Sequence, residues 1–393
     1  MVVAMERNRN IPCLTGVRFV AALLVVLVHC GWVQALPESL SYFGRQLVSF
    51  FFILSGVVLA YNYRDAIISR TLGWWDFFNL RLARIMPMHI ATWLLATVYV
   101  WYGWKPAQGD HPVVSWILGL LCLQSYWPSA AIIGRWNAVA WSNSCELFFY
   151  ALFPFLLPVL VHRLKSKHSL IITMICVYLL QIVLYACASG MLVRWITPTH
   201  SFLGYQTRGV AADWVIPETI TVALLVFPPL RLCEFVVGVC IGLLILRGEP
   251  LLKSALKANL LLGFCIVAFV LLIGLRVPDW VPVGAQTYLM SVPVLVLIVI
   301  ALASGLTIVT PVLQSKPAIL LGNASYALYL IHPFLAPERQ ATKLVQALYV
   351  LGDVAAAILF YLMLERPARG FWCQVFRRRQ SASSKSVERV EVA

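Results

Sequence analysis

Apolar residues along this chain come in long unbroken runs, with polar and charged residues gathered in the short segments between them. A run of about 20 apolar residues is what a helix needs to cross a hydrocarbon core of about 30 Å. The pattern predicts ten such helices, over 15–35, 46–63, 85–104, 143–162, 169–189, 232–247, 257–275, 288–308, 319–337 and 346–365. Two further runs, 113–124 and 219–230, are too short to span. They are expected as re-entrant or interfacial segments in the two longest connections. The fold class is therefore an all-α polytopic membrane protein, with one transmembrane domain over 1–370. The first run carries Arg18 and His29 and lacks a small-x-small cleavage site, so it reads as a helix that stays rather than a removed signal.

Composition removes the main alternative. Of 393 residues, 61% are hydrophobic and 12% charged, and the mean hydropathy of +0.85 excludes a water-soluble enzyme. The net charge of +14 would in a soluble chain raise nucleic acid as a partner. Here the charge sits at span ends and in the tail, not among stacking aromatics, so no nucleic-acid role is expected. From Arg366 onward the tail holds seven basic residues against Glu388 and Glu391. It reads as a cytoplasmic anchor on anionic lipid, disordered over 371–393. With the N-terminus inside, the inner segments hold 20 Lys and Arg and the outer ones 9, Arg231 among the latter. By the positive-inside rule both termini face the cytoplasm. The ten cysteines form no C-x-x-C pair and fall largely within apolar runs, so neither a disulfide framework nor a metal site is expected.

Ionisable residues inside spans are costly and mark function by default. They are Arg18, His29, Glu146, Glu234, His332, Asp353 and Glu365. Arg18 and His29 are eleven residues apart, which returns a helix to within about 20° of its starting direction and separates the pair by about 16 Å along the axis. A cation at one end and an imidazole at depth suit an elongated anionic donor; snorkelling and a satisfied bundle histidine are the plainer readings. Arg81 and Arg84, spaced i, i+3 at the start of the third helix, can face one target, and paired guanidinium groups favour phosphate. A positive-inside loop would also hold such a pair. His332 reaches a depth similar to that of His29, although Pro333 beside it could mark only a kink. Ser55-Gly56 reads as close packing. Glu365 is expected to pair with an arginine, Asp353 to snorkel outward, and Glu234 to favour a helix start.

Six segments together resemble a known family. They are Leu14-Thr15-Gly16-Val17-Arg18 running to His29, Phe51-Phe52-Ile53-Leu54-Ser55-Gly56, Arg81-x-x-Arg84, Trp141-Ser142-x-x-Cys145-Glu146-x-x-Phe149-Tyr150, Tyr329-Leu330-Ile331-His332-Pro333 and Glu365-Arg366-Pro367. In this order, over about residues 10 to 370, the chain resembles the membrane-bound acyltransferase-3 family of bacterial glycan O-acyltransferases. The resemblance implies an acyl-CoA donor, most commonly acetyl-CoA, as co-substrate, and a sugar hydroxyl as acceptor. No permanently bound cofactor is implied. It also implies that Arg18 with His29, and Arg81 with Arg84, are essential. Where the family commonly has Asp-Gly this chain has Thr15-Gly16, and Cys145-Glu146 leaves a single carboxylate in a motif that often has two.

Acyl transfer from a thioester to a hydroxyl needs a base, stabilisation of an oxyanion and exclusion of water. The expected assignment is His29 as base, Glu146 reaching its second nitrogen as in a triad, His332 as a second acid/base group, and Arg18, Arg81 and Arg84 holding acyl-CoA. Aromatics of the long outer connections, such as Trp116, Trp136, Trp141, Trp195 and Trp214, form either an interfacial belt or a sugar entrance. The expectation is a multi-pass O-acetyltransferase of the bacterial inner membrane acting on a sugar or lipid-linked glycan. A transporter or flippase of such a glycan is the alternative, and a noncatalytic assembly partner is a third reading.

Overall fold

The computed structural model describes residues 11–30, 43–103, 112–127, 130–196, 225–248, 252–274, 283–335, 342–372 and 374–375. Half of the run at 219–230, most of the basic tail, and Trp195 and Trp214 as possible belt residues lie outside the described residues or side chains.

Among the described residues every regular element is helical, and each of the ten expected spans coincides with a long helix. In chain order these are α1 (Pro12–His29), α2 (Phe43–Ile68), α3 (Trp74–Trp101), then the short α4 (Pro112–Leu120) and α5 (Ala130–Gly134). They continue as α6 (Trp141–Arg163), α7 (Lys167–Ile196), α8 (Pro228–Leu246), α9 (Ala255–Gly274) and α10 (Val283–Ala303). The one-turn α11 (Thr310–Leu313), α12 (Lys316–Leu335) and α13 (Lys343–Phe360) complete the set, and α13 runs on through a π-helical turn at Tyr361–Glu365 into 366–372. Eight of these helices are long and apolar enough to cross a membrane.

Two helix pairs form the centre, and glycine makes both possible. In the pair α2 and α8 a Cβ at Gly56 would run into the carbonyl of Phe235, and one at Gly238 into that of Ile53. In the pair α1 and α12, Gly322 lies against the carbonyl of Thr15, while Gly16 meets Leu313 of α11. Membrane helices gain little from apolar burial against each other and associate by such close backbone approach. The apolar windows of α2 and α8 are 72% and 78% buried, whereas those of α9 and α13 with its continuation are 17% and 11% buried, so the latter two face the lipid edge.

The run at 113–124 gives α4 and no span, as its length requires. The helix ends in a Schellman turn: Cys122 takes a positive φ of 55°, and the amide of Leu123 returns to the carbonyl of Leu118 at 2.6 Å. Segment 112–140 then folds back on the bundle. Trp136 Nε1 donates to Ser115 (3.0 Å), Asn137 to the carbonyl of Leu330 (3.0 Å), and the Tyr329 hydroxyl to the carbonyl of Val139 (2.9 Å). The start of α6 is thus held inside the bundle, at the level of Tyr329.

Three buried charges depart from the sequence expectation. Arg231, counted with the outer connection, lies within α8 and is fully buried. Its guanidinium pairs with Glu234 at 2.8 Å and reaches Ser49 at 3.1 Å, so Glu234 serves an ion pair rather than a helix start. Asp353 does not snorkel: it is fully buried on the stripe Gln346, Asp353, Ala357 of α13. Ten residues of helix separate it from the start of α13, about 15 Å, and its single methylene cannot span that distance.

Candidate active site

The best-formed cavity, about 370 Å³, lies between α1, α2, α3, α6 and α12. It contains the three arginines singled out by sequence, Arg18, Arg81 and Arg84, together with Glu146. Each arginine is held differently. Arg18 makes no ion pair or hydrogen bond with a described residue and projects into the cavity. Arg81 donates to the Tyr63 hydroxyl at 2.6 Å and lies over the Tyr63 and Tyr150 rings, 4.9 and 5.9 Å from their centroids. Arg84 pairs with the buried carboxylate of Glu365 and lies 5.9 Å from the centre of the Tyr326 ring. The expected Glu365–arginine pair is therefore present.

Tyr326 is fixed by a chain of polar contacts that sequence gave no reason to assemble. Its hydroxyl donates to the carbonyl of Ile85 (3.2 Å) and to Asn143 Oδ1 (3.3 Å). The Asn143 amide donates to His89 Nδ1 (3.1 Å), whose Nε2–H points at the carbonyl of Gly119 (3.0 Å). His89 adds a second donor to the carbonyl of Gly119, which also accepts from the amide of Cys122, and lies 3.3 Å from the carbonyl of Leu120; these contacts set its tautomer.

At the opposite end of α1 the rings of His29 and His332 lie 5.0 Å apart between centroids, tilted by 49°. Both expected histidines thus meet. His29 Nδ1 is 2.8 Å from the carbonyl of Val25, which requires the proton on Nδ1 and leaves Nε2 as an acceptor. His29 is exposed at the end of α1 rather than enclosed at depth, while His332 is fully buried. Neither ring nitrogen of His332 makes a hydrogen bond with a described residue. Pro333 has no N–H and so removes a helical donor from the carbonyl of Tyr329.

Glu146 does not meet His29. Its carboxylate accepts from the Tyr150 hydroxyl at 2.8 Å and faces the arginine cavity. Because α6 begins at the level of Tyr329, five further residues carry Glu146 down to Arg18. Tyr329 is the seam between the two regions: it lines the cavity, and its ring lies 6.1 Å from His332 and 6.3 Å from Phe51. Sequence reasoning also missed Arg369, which lines the cavity beyond the π-helical turn. Within the described residues no cluster of His, Cys, Asp or Glu is suited to a metal ion.

The arginine-lined cavity at one end of α1 and the histidine pair at the other give one helical membrane bundle a place for an anionic donor and a proton acceptor. A family model described as an acyltransferase domain matches residues 11–364, and the chain belongs to that family, acyltransferase-3. It is 28% identical over 336 residues to the acyltransferase MdmB of Streptomyces mycarofaciens, covering 82% of this chain and 78% of that protein. It is 23% identical over 392 residues to the O-acetyltransferase OatA of Staphylococcus aureus, covering 93% of this chain but 58% of OatA. No solved structure matches the chain. The protein is a multi-pass membrane acyltransferase.

Proposed function

We propose that this chain transfers an acyl group, most simply acetyl, from acyl-CoA to a hydroxyl of a sugar or surface-glycan precursor. The observation that carries the reading is the placement of Arg18 and His29 on one helix. A cationic cavity lies at one end and a base-ready imidazole at the other, about 16 Å apart, which is of the order of a pantetheine arm. The name of the relative OatA supports acetyl as the group transferred.

In this scheme the CoA phosphates lie against Arg18, Arg81 and Arg84, and the thioester extends past Tyr329. The acceptor hydroxyl approaches His29 from its exposed side and gives its proton to Nε2 as its oxygen attacks the thioester carbonyl. The C–S bond breaks, and the imidazolium returns the proton to the departing CoA thiolate, so no proton is left over. His332 lies beside His29 at a tilt and restricts its ring. Glu146 and Tyr150 act on the donor side, where the carboxylate offsets the charge of Arg18. With both termini in the cytoplasm of a bacterium, as the charge bias indicates, the cavity receives cytosolic acyl-CoA at the inner membrane and the histidines face the outer side.

The test is transfer of labelled acetyl from acetyl-CoA in membranes containing wild type or His29→Ala at equal protein level. The proposal expects transfer by wild type and none by the variant. Retained transfer by His29→Ala overturns the base assignment, and wild-type membranes that leave the thioester intact overturn the enzyme reading in favour of a transporter.

A further inference from the structure

The long final helix is not uniformly α-helical. Its π-helical turn spans Tyr361–Glu365, and such turns insert one extra residue into an otherwise regular ladder. In a regular α-helix Tyr361 and Arg369 would point about 80° apart; with one residue absorbed by the π turn they come to within about 20° of one face. Both do line the arginine cavity. Arg369, which sequence assigns to the lipid-anchoring tail, is thereby turned into the site.

Arg369 differs from the three deeper arginines. Arg81 is tied to Tyr63, Arg84 is paired with Glu365, and Arg18 lies deep on α1. Arg369 is exposed at the rim and has no ion pair with a described residue. It lies close enough to Arg84 for the two charges to repel. Four guanidinium groups thus converge on a cavity whose nearby carboxylates are Glu146 and Glu365, an excess of positive charge that an incoming polyanion relieves. Coenzyme A carries its phosphates in two places, a pyrophosphate next to the pantetheine and a monophosphate on the ribose at the far end. If the thioester points toward His29, the pyrophosphate falls among the deeper arginines and the ribose monophosphate at the rim.

We infer that Arg369, turned toward the cavity by the π-helical turn, is the residue that recognises the 3′-phosphate of the acyl-CoA donor and so selects it over donors lacking that group. The inference rests on the acyl-CoA reading above. The other source of phosphate at this depth is a lipid headgroup, and Arg366 on the same helix provides the comparison, being exposed and outside the cavity lining.

The experiment measures binding of acetyl-CoA and of 3′-dephospho-acetyl-CoA to the full chain in nanodiscs, made with and without anionic lipid, for wild type, Arg369→Ala and Arg366→Ala. A charge-assisted phosphate contact predicts that wild type prefers acetyl-CoA by about tenfold or more. Arg369→Ala should bring the two affinities together by weakening acetyl-CoA alone, and Arg366→Ala should keep the wild-type ratio in both lipids. Overturning results are a preserved ratio in Arg369→Ala, or equal losses for both ligands in both variants, which would assign Arg369 to lipid. Wild type that binds acetyl-CoA without preferring it also overturns the inference but leaves the donor assignment standing. Wild type that binds neither compound removes the donor assignment itself.

Discussion

The fully buried pair Arg231 and Glu234 offers a quantitative test of the packing that supports the cavity wall. Arg231 donates to Glu234 at 2.8 Å and to Ser49 at 3.1 Å, and Gln181 donates to the same carboxylate at 3.2 Å. The guanidinium also lies over Phe52 and Trp141, 5.2 and 5.8 Å from the ring centres, and Phe52 lines the cavity. Replacing Glu234 by Leu takes away the carboxylate that pairs with the buried guanidinium, a loss of about 3–5 kcal/mol, or about two to four orders of magnitude in the folding equilibrium. Replacing both residues, Arg231→Met with Glu234→Leu, removes the buried charge. Ser49 and Gln181 then lose partners at roughly 0.6 kcal/mol each, so the double variant should regain most of the loss. The assay is the apparent unfolding midpoint of purified protein in detergent, with acetyl transfer measured on the same samples. The expected order is wild type close to the double variant, and both well above Glu234→Leu. A double variant no more stable than the single one would refute the claim that charge burial, rather than shape, sets the cost.

Three other outcomes follow from the geometry. Gly238→Leu drives a side chain into the backbone of α2 at Ile53 and should abolish folded protein, whereas Gly263→Leu, which faces open space, should not; fluorescence-detected size exclusion separates the two. The exchange Arg84→Glu with Glu365→Arg should preserve the folded fraction while weakening acetyl-CoA binding at least about tenfold, because a carboxylate then faces the donor phosphates. Tyr326→Phe removes the hydroxyl that links Asn143 to Ile85 and should lower thermal stability by about 1 kcal/mol, with a smaller change in donor affinity than in Arg18→Ala.

The ten long helices were legible because a run of apolar residues reports its own length against the bilayer. The juxtaposition of Arg18 and His29 on one helix was equally legible, since helical spacing is a local property. What sequence could not supply was the depth of one helix relative to another. Glu146 counts as outer when measured from the start of its own span. The fold-back of segment 112–140 instead starts α6 inside the bundle, so Glu146 arrives at Arg18 and not at His29. Arg231 was misplaced for a related reason: a residue at the edge of an apolar run reads as connection until its ion pair is visible. Arg369 was hidden by a change of helical phase, because the π turn at Tyr361–Glu365 leaves no pattern in composition. The His89–Asn143–Tyr326 chain was hidden because it joins residues from three separate helices.

The central claim is that one helix carries both ends of the reaction, donor binding at Arg18 and proton transfer at His29. It is tested most directly by measuring acetyl-CoA affinity and acetyl transfer on the same purified wild-type, Arg18→Ala and His29→Ala proteins. The account predicts that Arg18→Ala loses donor affinity by about tenfold or more, while His29→Ala binds acetyl-CoA as wild type does and transfers nothing. Undiminished binding by Arg18→Ala, or measurable transfer by His29→Ala, would contradict it.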